Sequence, residues 1–202
     1  MDLDYSRKDN EINVEIEKIF AKQHTNEYLC ANFAKMPTSH TTYLSLGSNI
    51  PDRAANLRRA VEQIAVSAGT VTMQSPIYET QSWGYTDGDY LNQTIAVETT
   101  LPPQHLLAAT AAIETALGRV RSGNGYEART IDIDILFYDN EIIDSPRLTV
   151  PHPKIALRRF VLQPTADIAP DYLHPTLHKT IKKLLDECPD TGKVRKFVIH
   201  NS

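Results

Sequence analysis

The sequence predicts an α+β domain built from a β-α-β-β-α-β series over residues 41–138. Three observations predict it. Apolar residues alternate between two-residue and helical spacing in that order. Glycine or proline punctuates the changeovers, at Gly47, Gly69, Pro102-Pro103 and Gly118. The chain of 202 residues, 41% hydrophobic and 23% charged, can bury the core of a globular domain without staples.

Each element has a local cause. Tyr43-Leu44-Ser45-Leu46 is a short strand, stopped by Gly47. Leu57, Val61, Ile64 and Ala68 repeat at helical spacing behind Asp52, a suitable N-cap, and Gly69 ends that helix. Residues 70–78 read as a strand with Val71, Met73 and Ile77 on one face. Residues 91–99 read as another, Ile95 and Val97 alternating with polar neighbours. Pro102-Pro103 opens a helix with Leu106, Ala109, Ile113 and Leu117 on one side, and Gly118 closes it. After a polar loop, residues 131–138 form the last strand of the series. This order is that of a ferredoxin-like sandwich, an antiparallel sheet with two helices on one face. The other face must be covered by something else or used. The remaining chain reads as short helices and loops, with a turn or two of helix in 180–188 marked by Ile181, Leu184 and Leu185. His174 and His178 read as surface residues near its start.

Residues 1–38 stand apart as an N-terminal arm, partly ordered, ahead of a domain at 39–202. Ile12, Ile16, Ile19 and Phe20 give the arm a short amphipathic helix at 12–22, which is marginal alone. The sharper reading of the arm is a helix that docks on a partner or on a second copy. Met36 is a candidate alternative start. Twenty-five acids against 21 bases give a net charge of −4, which argues against a general nucleic-acid or polybasic membrane binder. Two cysteines, Cys30 and Cys188, do not make a disulfide framework; a reducing, cytoplasmic compartment is expected. No run of 18 apolar residues is present, and the first 20 residues carry six acids and three bases, unlike a signal peptide.

The sharpest chemical feature is Arg129-Thr130-Ile131-Asp132-Ile133-Asp134-Ile135. Strand residues two apart share a face, so Asp132 and Asp134 project together while the isoleucines face a core. Two carboxylates about 7 Å apart on one strand face repel each other, and a divalent cation turns that repulsion into binding. Two hard oxygen ligands suit Mg²⁺, with water and substrate phosphates completing the shell. The bland reading is a solvated strand face. The preceding loop, residues 118–128, has almost no apolar anchor and carries Arg119 and Arg121, with Arg129 at its end. Guanidinium forks match phosphate oxygens, so the loop reads as a lid over a polyphosphate rather than as a merely charged loop. His152, between two prolines, and Arg158 are further phosphate contacts, or structural. Phe160 beside them is core or site. Tyr90 and Asn92 share a strand face and pair a ring with an amide, which suits a flat heterocycle. The Gly47-Ser48-Asn49 turn is otherwise only turn and cap chemistry.

Taken together, these segments resemble the 6-hydroxymethyl-7,8-dihydropterin pyrophosphokinase family of folate biosynthesis. The resemblance rests on Tyr43 to Asn49, Asp89-Tyr90-Leu91-Asn92, Gly118-Arg119-Val120-Arg121, Arg129 to Asp134, and Val150-Pro151-His152-Pro153. It covers residues 41–188. It implies transfer of pyrophosphate from ATP to the pterin hydroxymethyl group, with release of AMP. It implies that Asp132 and Asp134 hold two Mg²⁺ ions. Arg119, Arg121, Arg129, His152 and Arg158 would contact ATP phosphates or position the nucleotide, with Glu114 helping to form the ATP site. Tyr90 and Phe160 would sandwich the pterin, and Asn92, with the segment from Thr80 to Trp83, would read its edge, beside Gly47 and Asn49. Tyr126 stands where the family commonly has Trp, and the arm has no counterpart in the family pattern. A different class of reading is a ferredoxin-like RNA-binding module that stacks bases on sheet aromatics. It lacks an RNP1-like string, and the net charge opposes it. A D-x-D nucleotide-sugar transferase would usually be longer and built on an α/β fold.

Overall fold

The computed structural model describes residues 38–82, 88–119 and 129–198. The chain divides into two units, Met1–Thr38 and Ser39–Ser202. The arm's apolar residues, Cys30 and Met36, and also Trp83, Arg121 and Tyr126, lie outside the described residues.

The core series is β1 (His40–Ser48), α1 (Arg53–Ser67), β2 (Thr70–Gln74), β3 (Tyr78–Thr80), β4 (Tyr90–Thr99), α2 (Pro103–Ala116) and β5 (Asp132–Tyr138). It is followed by a small hairpin of β6 (Ile143–Asp144) and β7 (Thr149–Val150), then α3 (Arg159–Ile168), α4 (Ile181–Asp186) and β8 (Val194–Lys196). The main sheet runs β5-β1-β4-β3-β8, and β2 also pairs with β4. All its pairings are antiparallel. This is the expected ferredoxin-like arrangement with one strand split. Residues 70–78 do not form a single strand, because Pro76 has no N–H for the ladder. The chain breaks at Ser75-Pro76-Ile77 and re-pairs with β4 as β3.

One face of the sheet is a closed apolar core. Leu57, Ala60 and Ile64 of α1 and Leu106 and Ile113 of α2 pack on Leu44, Leu46, Ile95, Val97, Ile133 and Ile135. On α2, Thr110 and Glu114 are buried, whereas Ala109 and Leu117 are only partly so. Asp52 does stand before α1, but its side chain makes no capping bond and its backbone is left-handed, at φ 53°. Asn56 ties that end instead, its Nδ2 donating to Ser48 Oγ at 3.2 Å and to the Ile50 carbonyl at 3.3 Å.

The opposite face is shared between cover and opening. Tyr43, Ala96, Leu136 and Phe137 lie under Val161 and Leu162 of α3 and Ile181 and Leu184 of α4. A register shift between Tyr43 and Leu44 inserts one extra residue into β5. Strict alternation would place Phe137 with the isoleucines. The bulge lets Leu136 and Phe137 both face α3, and Tyr138 returns to the first core. His174 belongs to this layer rather than to the surface: it is 4% exposed and meets the Phe137 ring edge-on at 5.4 Å. Its Nδ1 accepts the N–H groups of Thr176 and Leu177, each at 3.3 Å, so a tight loop supplies the partners that burial demands.

Candidate active site

The uncovered part of that second face is a cleft. Gly47 lies within β1 rather than ending it, paired with Asn92 on one side and Asp132 on the other. Ser45, one step along the same face, pairs with Thr94 and Asp134. The floor therefore carries Asn92, Gly47 and Asp132 in one rung and Asp134 beside Ser45 in the next. A Cβ on Gly47 would sit 3.2 Å from Asn92 Oδ1, so glycine keeps the floor low beneath the amide. Asn92 Nδ2 donates to Thr80 Oγ1 at 2.8 Å, which fixes the amide against β3. Tyr90, Thr80, Gln81, Arg129, Arg158 and Phe160 complete the lining.

The two carboxylates differ in company. Asp132 is engaged at both oxygens: Arg119 lies 2.5 Å from Oδ1, and Arg129 pairs with Oδ2. Glu114, 3% exposed, accepts the Ile133 N–H at 2.8 Å and pairs with Arg119, so it orients that arginine from behind the strand. Asp134 faces looser partners, Arg158 at 3.7 Å and His152 at 3.9 Å. Its carboxyl is pushed up to about 6, first by burial and then by the neighbouring Asp132 charge. His152 is pushed down to about 4 by burial and by Arg158, which keeps its imidazole neutral at neutral pH. Repulsion between the aspartates is thus relieved by arginines at Asp132 and persists at Asp134.

Among the described residues no cluster of three or more His, Cys, Asp or Glu side chains is arranged to hold a metal. Two carboxylates on one cleft floor, with arginines around them, fit a cation that arrives with phosphate oxygens and water as its other ligands.

The structure brings together Gly47, Thr80, Tyr90, Asn92, Arg129, Asp132, Asp134, Arg158 and Phe160 on one cleft, with Arg119, Glu114 and His152 at its rear. Arg158 lies 5.7 Å from the centre of the Phe160 ring. Asn49 does not line the cleft. Its N–H donates to the Arg129 carbonyl at 3.2 Å and its Oδ1 accepts the Arg129 N–H at 2.6 Å, so it anchors the backbone that carries Arg129. Arg121 and Trp83 lie outside the described residues. Sequence reasoning missed Ser45, which the two-residue rule applied backwards from Gly47 would have found. It also missed Arg53, whose guanidinium donates to the Asp89 carbonyl and to Glu79 Oε1, each at 2.8 Å. That arginine holds both ends of the connection between β3 and β4.

Among the described residues no helix is long and apolar enough to cross a membrane. A family model described as 7,8-dihydro-6-hydroxymethylpterin-pyrophosphokinase matches residues 43–170. A curated protein of Methylorubrum extorquens, named 2-amino-4-hydroxy-6-hydroxymethyldihydropteridine pyrophosphokinase, is 44% identical over 146 residues, covering 70% of this chain and 92% of its own. A protein of the same name from Bacillus subtilis is 44% identical over 132 residues, covering 64% of this chain and 78% of its own. Among solved structures, Plasmodium falciparum HPPK-DHPS with pteroate aligns with a TM-score of 0.65 at 16% identity, over 77% of this chain and 45% of that one. This chain therefore spans less than half the length of that structure, and the likeness there is one of fold.

Proposed function

The chain belongs to the 7,8-dihydro-6-hydroxymethylpterin-pyrophosphokinase family and is an ATP-dependent pyrophosphokinase of folate biosynthesis, and we propose that its open sheet face is where the transfer happens. The observation that supports this most is the placement of Asp132 and Asp134 on the cleft floor, with Asn92 and Tyr90 beside them. Acidic and heterocycle-reading groups then share one cleft, as transfer from a nucleotide to a pterin requires.

Asp132 and Asp134 would hold two Mg²⁺ ions, which when bound neutralise phosphate oxygens and orient the triphosphate. Arg119 and Arg129, paired here with Asp132, would be placed to turn to the phosphates. Such an exchange costs little, because each guanidinium trades one anionic partner for another. Glu114 would keep Arg119 aimed throughout. His152, neutral, and Arg158 would contact the outer phosphates, and Arg121, on the loop that the sequence reads as a lid, would join them. Tyr90 and Phe160 would stack the pterin between them. Asn92, with Thr80 and Trp83, would read its edge, over the low floor at Gly47. Asn49 would act through Arg129. No strong base is needed: positioning and charge neutralisation carry most of the transfer.

A single-stranded RNA-binding module finds no support in these observations, since two carboxylates on the sheet face would repel a phosphate backbone. We further propose a cytoplasmic location, and an arm at 1–38 that makes contact with a partner or a second copy. Truncation to Met36 followed by sedimentation tests the arm: it should lower the number of chains in any assembly and leave turnover intact.

Nucleotide analysis of a reaction with ATP, Mg²⁺ and 6-hydroxymethyl-7,8-dihydropterin tests the function. AMP should appear in step with consumption of the pterin. ADP as the sole nucleotide product would overturn the reading.

A further inference from the structure

Helix α3 begins with Arg158 in the N-cap position, with no side-chain capping bond and no acid in its first turn. Arginine has no acceptor to offer the exposed N–H groups there. The first of them is nevertheless satisfied: the Arg159 N–H donates to Asp190 Oδ2 at 3.0 Å, from 31 residues downstream. The other oxygen of that carboxylate accepts the Gly192 N–H at 2.8 Å, which folds the tail around it. Two residues later β8 pairs with β3, setting Val194 opposite Thr80, and the Phe197 N–H donates to the Ile77 carbonyl at 2.8 Å. One tail segment therefore grips both the helix that presents Arg158 and Phe160 and the strand that presents Thr80.

The rest of α3 is pinned elsewhere. Tyr78 Oη donates to Asp167 Oδ2 at 2.6 Å, and Thr165 Oγ1 lies 3.1 Å from Thr94 Oγ1. Both ties hold the C-terminal half. In the first turn Val161 and Leu162 are anchored in the apolar core, and the start of the turn, at Arg158 and Arg159, is the part that depends on a cap.

We propose that Asp190 is a positioning residue of the cleft, capping α3 from outside the helix and so fixing Arg158 and Phe160 against Thr80 and Asp134. The proposal rests on the pyrophosphokinase reading above. A carboxylate at this place both accepts the N–H bond and complements the positive end of the helix. Without it the start of that turn frays, and the wall of the pterin pocket moves with it.

The test uses the full chain and three variants: Asp190→Ala, Asp190→Asn and Ile64→Val. Asparagine keeps the acceptor and should restore most of the function. Ile64→Val loosens the opposite core and controls for general destabilisation. Asp190→Ala should raise the KM for the pterin about fivefold, the size expected for a lost cap. Its Arg159–Leu162 amides should exchange faster with solvent while those of Thr165–Ile168 do not. Asp190→Asn and Ile64→Val should stay near wild type in KM. An unchanged KM in Asp190→Ala, an Asn variant as poor as the Ala variant, or an equal rise in Ile64→Val would overturn the proposal. So would an Asp190→Ala chain that cannot fold, since one helix turn does not carry the domain. A wild-type chain that releases no AMP would sink the functional reading instead, and the exchange pattern would still decide whether Asp190 caps the turn.

Discussion

Along the second face of the sheet, two halves share the same strands on either side of the β5 bulge and differ in what stands on them. In the covered half, Tyr43 pairs with Ala96 and Phe137 beneath α3 and α4. In the open half, Ser45 pairs with Thr94 and Asp134, and Gly47 with Asn92 and Asp132. Two residues along β1 separate an apolar contact from an acidic floor. The covered half gains stability from burial, about 25 cal/mol for each Å² of apolar surface removed from water. The open half works against folding: the raised Asp134 carboxyl shows that its ionised form is disfavoured where it stands. On the proposed function, the uncovered sheet face is thus a cost retained for chemistry.

The largest effect should come from the open half. If Asp132 and Asp134 hold the metal as proposed, Asp132→Asn and Asp134→Asn should each lower turnover about a thousandfold, since charge stabilisation of several kcal/mol would go with the carboxylate. Stability should move the other way for Asp134→Asn. A carboxyl whose pKa is raised on folding makes the protein less stable as pH rises from the unfolded value through about 6. The asparagine variant should therefore melt above wild type at pH 7 to 8, and the gap should close at low pH. A melting point below wild type at pH 8 would break the contrast.

Phe137→Ala should do the reverse. It should cost about 3–5 kcal/mol in denaturant unfolding, and the folded fraction should keep its KM values. A specific loss of pterin binding in that variant would mean the halves are not separable. Asn92→Ala should weaken pterin binding about ten- to a hundredfold, as buried edge groups lose their partner, with ATP binding little changed. Fluorescence titration of each ligand separates the two.

The smallest effect concerns His174, a covered-half residue. Burial and the nearby His178 hold its pKa down, so its stabilising contribution is full above the ordinary histidine value of about 6.5 and lost as pH falls below it. Protonation also turns Nδ1 from an acceptor of the Thr176 and Leu177 N–H groups into a donor facing donors. His174→Asn, which keeps an acceptor there, should flatten the acid side of the stability curve. An unchanged acid limb would remove His174 from the account.

What the sequence made legible was whatever local pattern determines. Alternation and helical spacing placed the core series, and the two-residue rule put Asp132 and Asp134 on one face. What stayed hidden depends on distant partners. Helix α3 carries Pro164 and takes its cap from Asp190, so it has no local start signal. The bulge at Leu136 is set by pairing with β1 and by the helices above it. The engagement of Asp132 by Arg119 and Arg129 needed the loop and strand to meet in space. His174 looked exposed because its burial depends on Phe137, far back in the chain.

The central claim is that the open half is a metal and phosphate site. Titration with Mn²⁺, read by electron paramagnetic resonance in the presence of a non-hydrolysable ATP analogue and the pterin, tests it most directly. Wild type should hold two ions per chain in the complex, at least one more than the nucleotide mixture binds alone, Phe137→Ala should do the same, and Asp134→Asn should lose at least one. Equal uptake by wild type and Asp134→Asn would contradict the account.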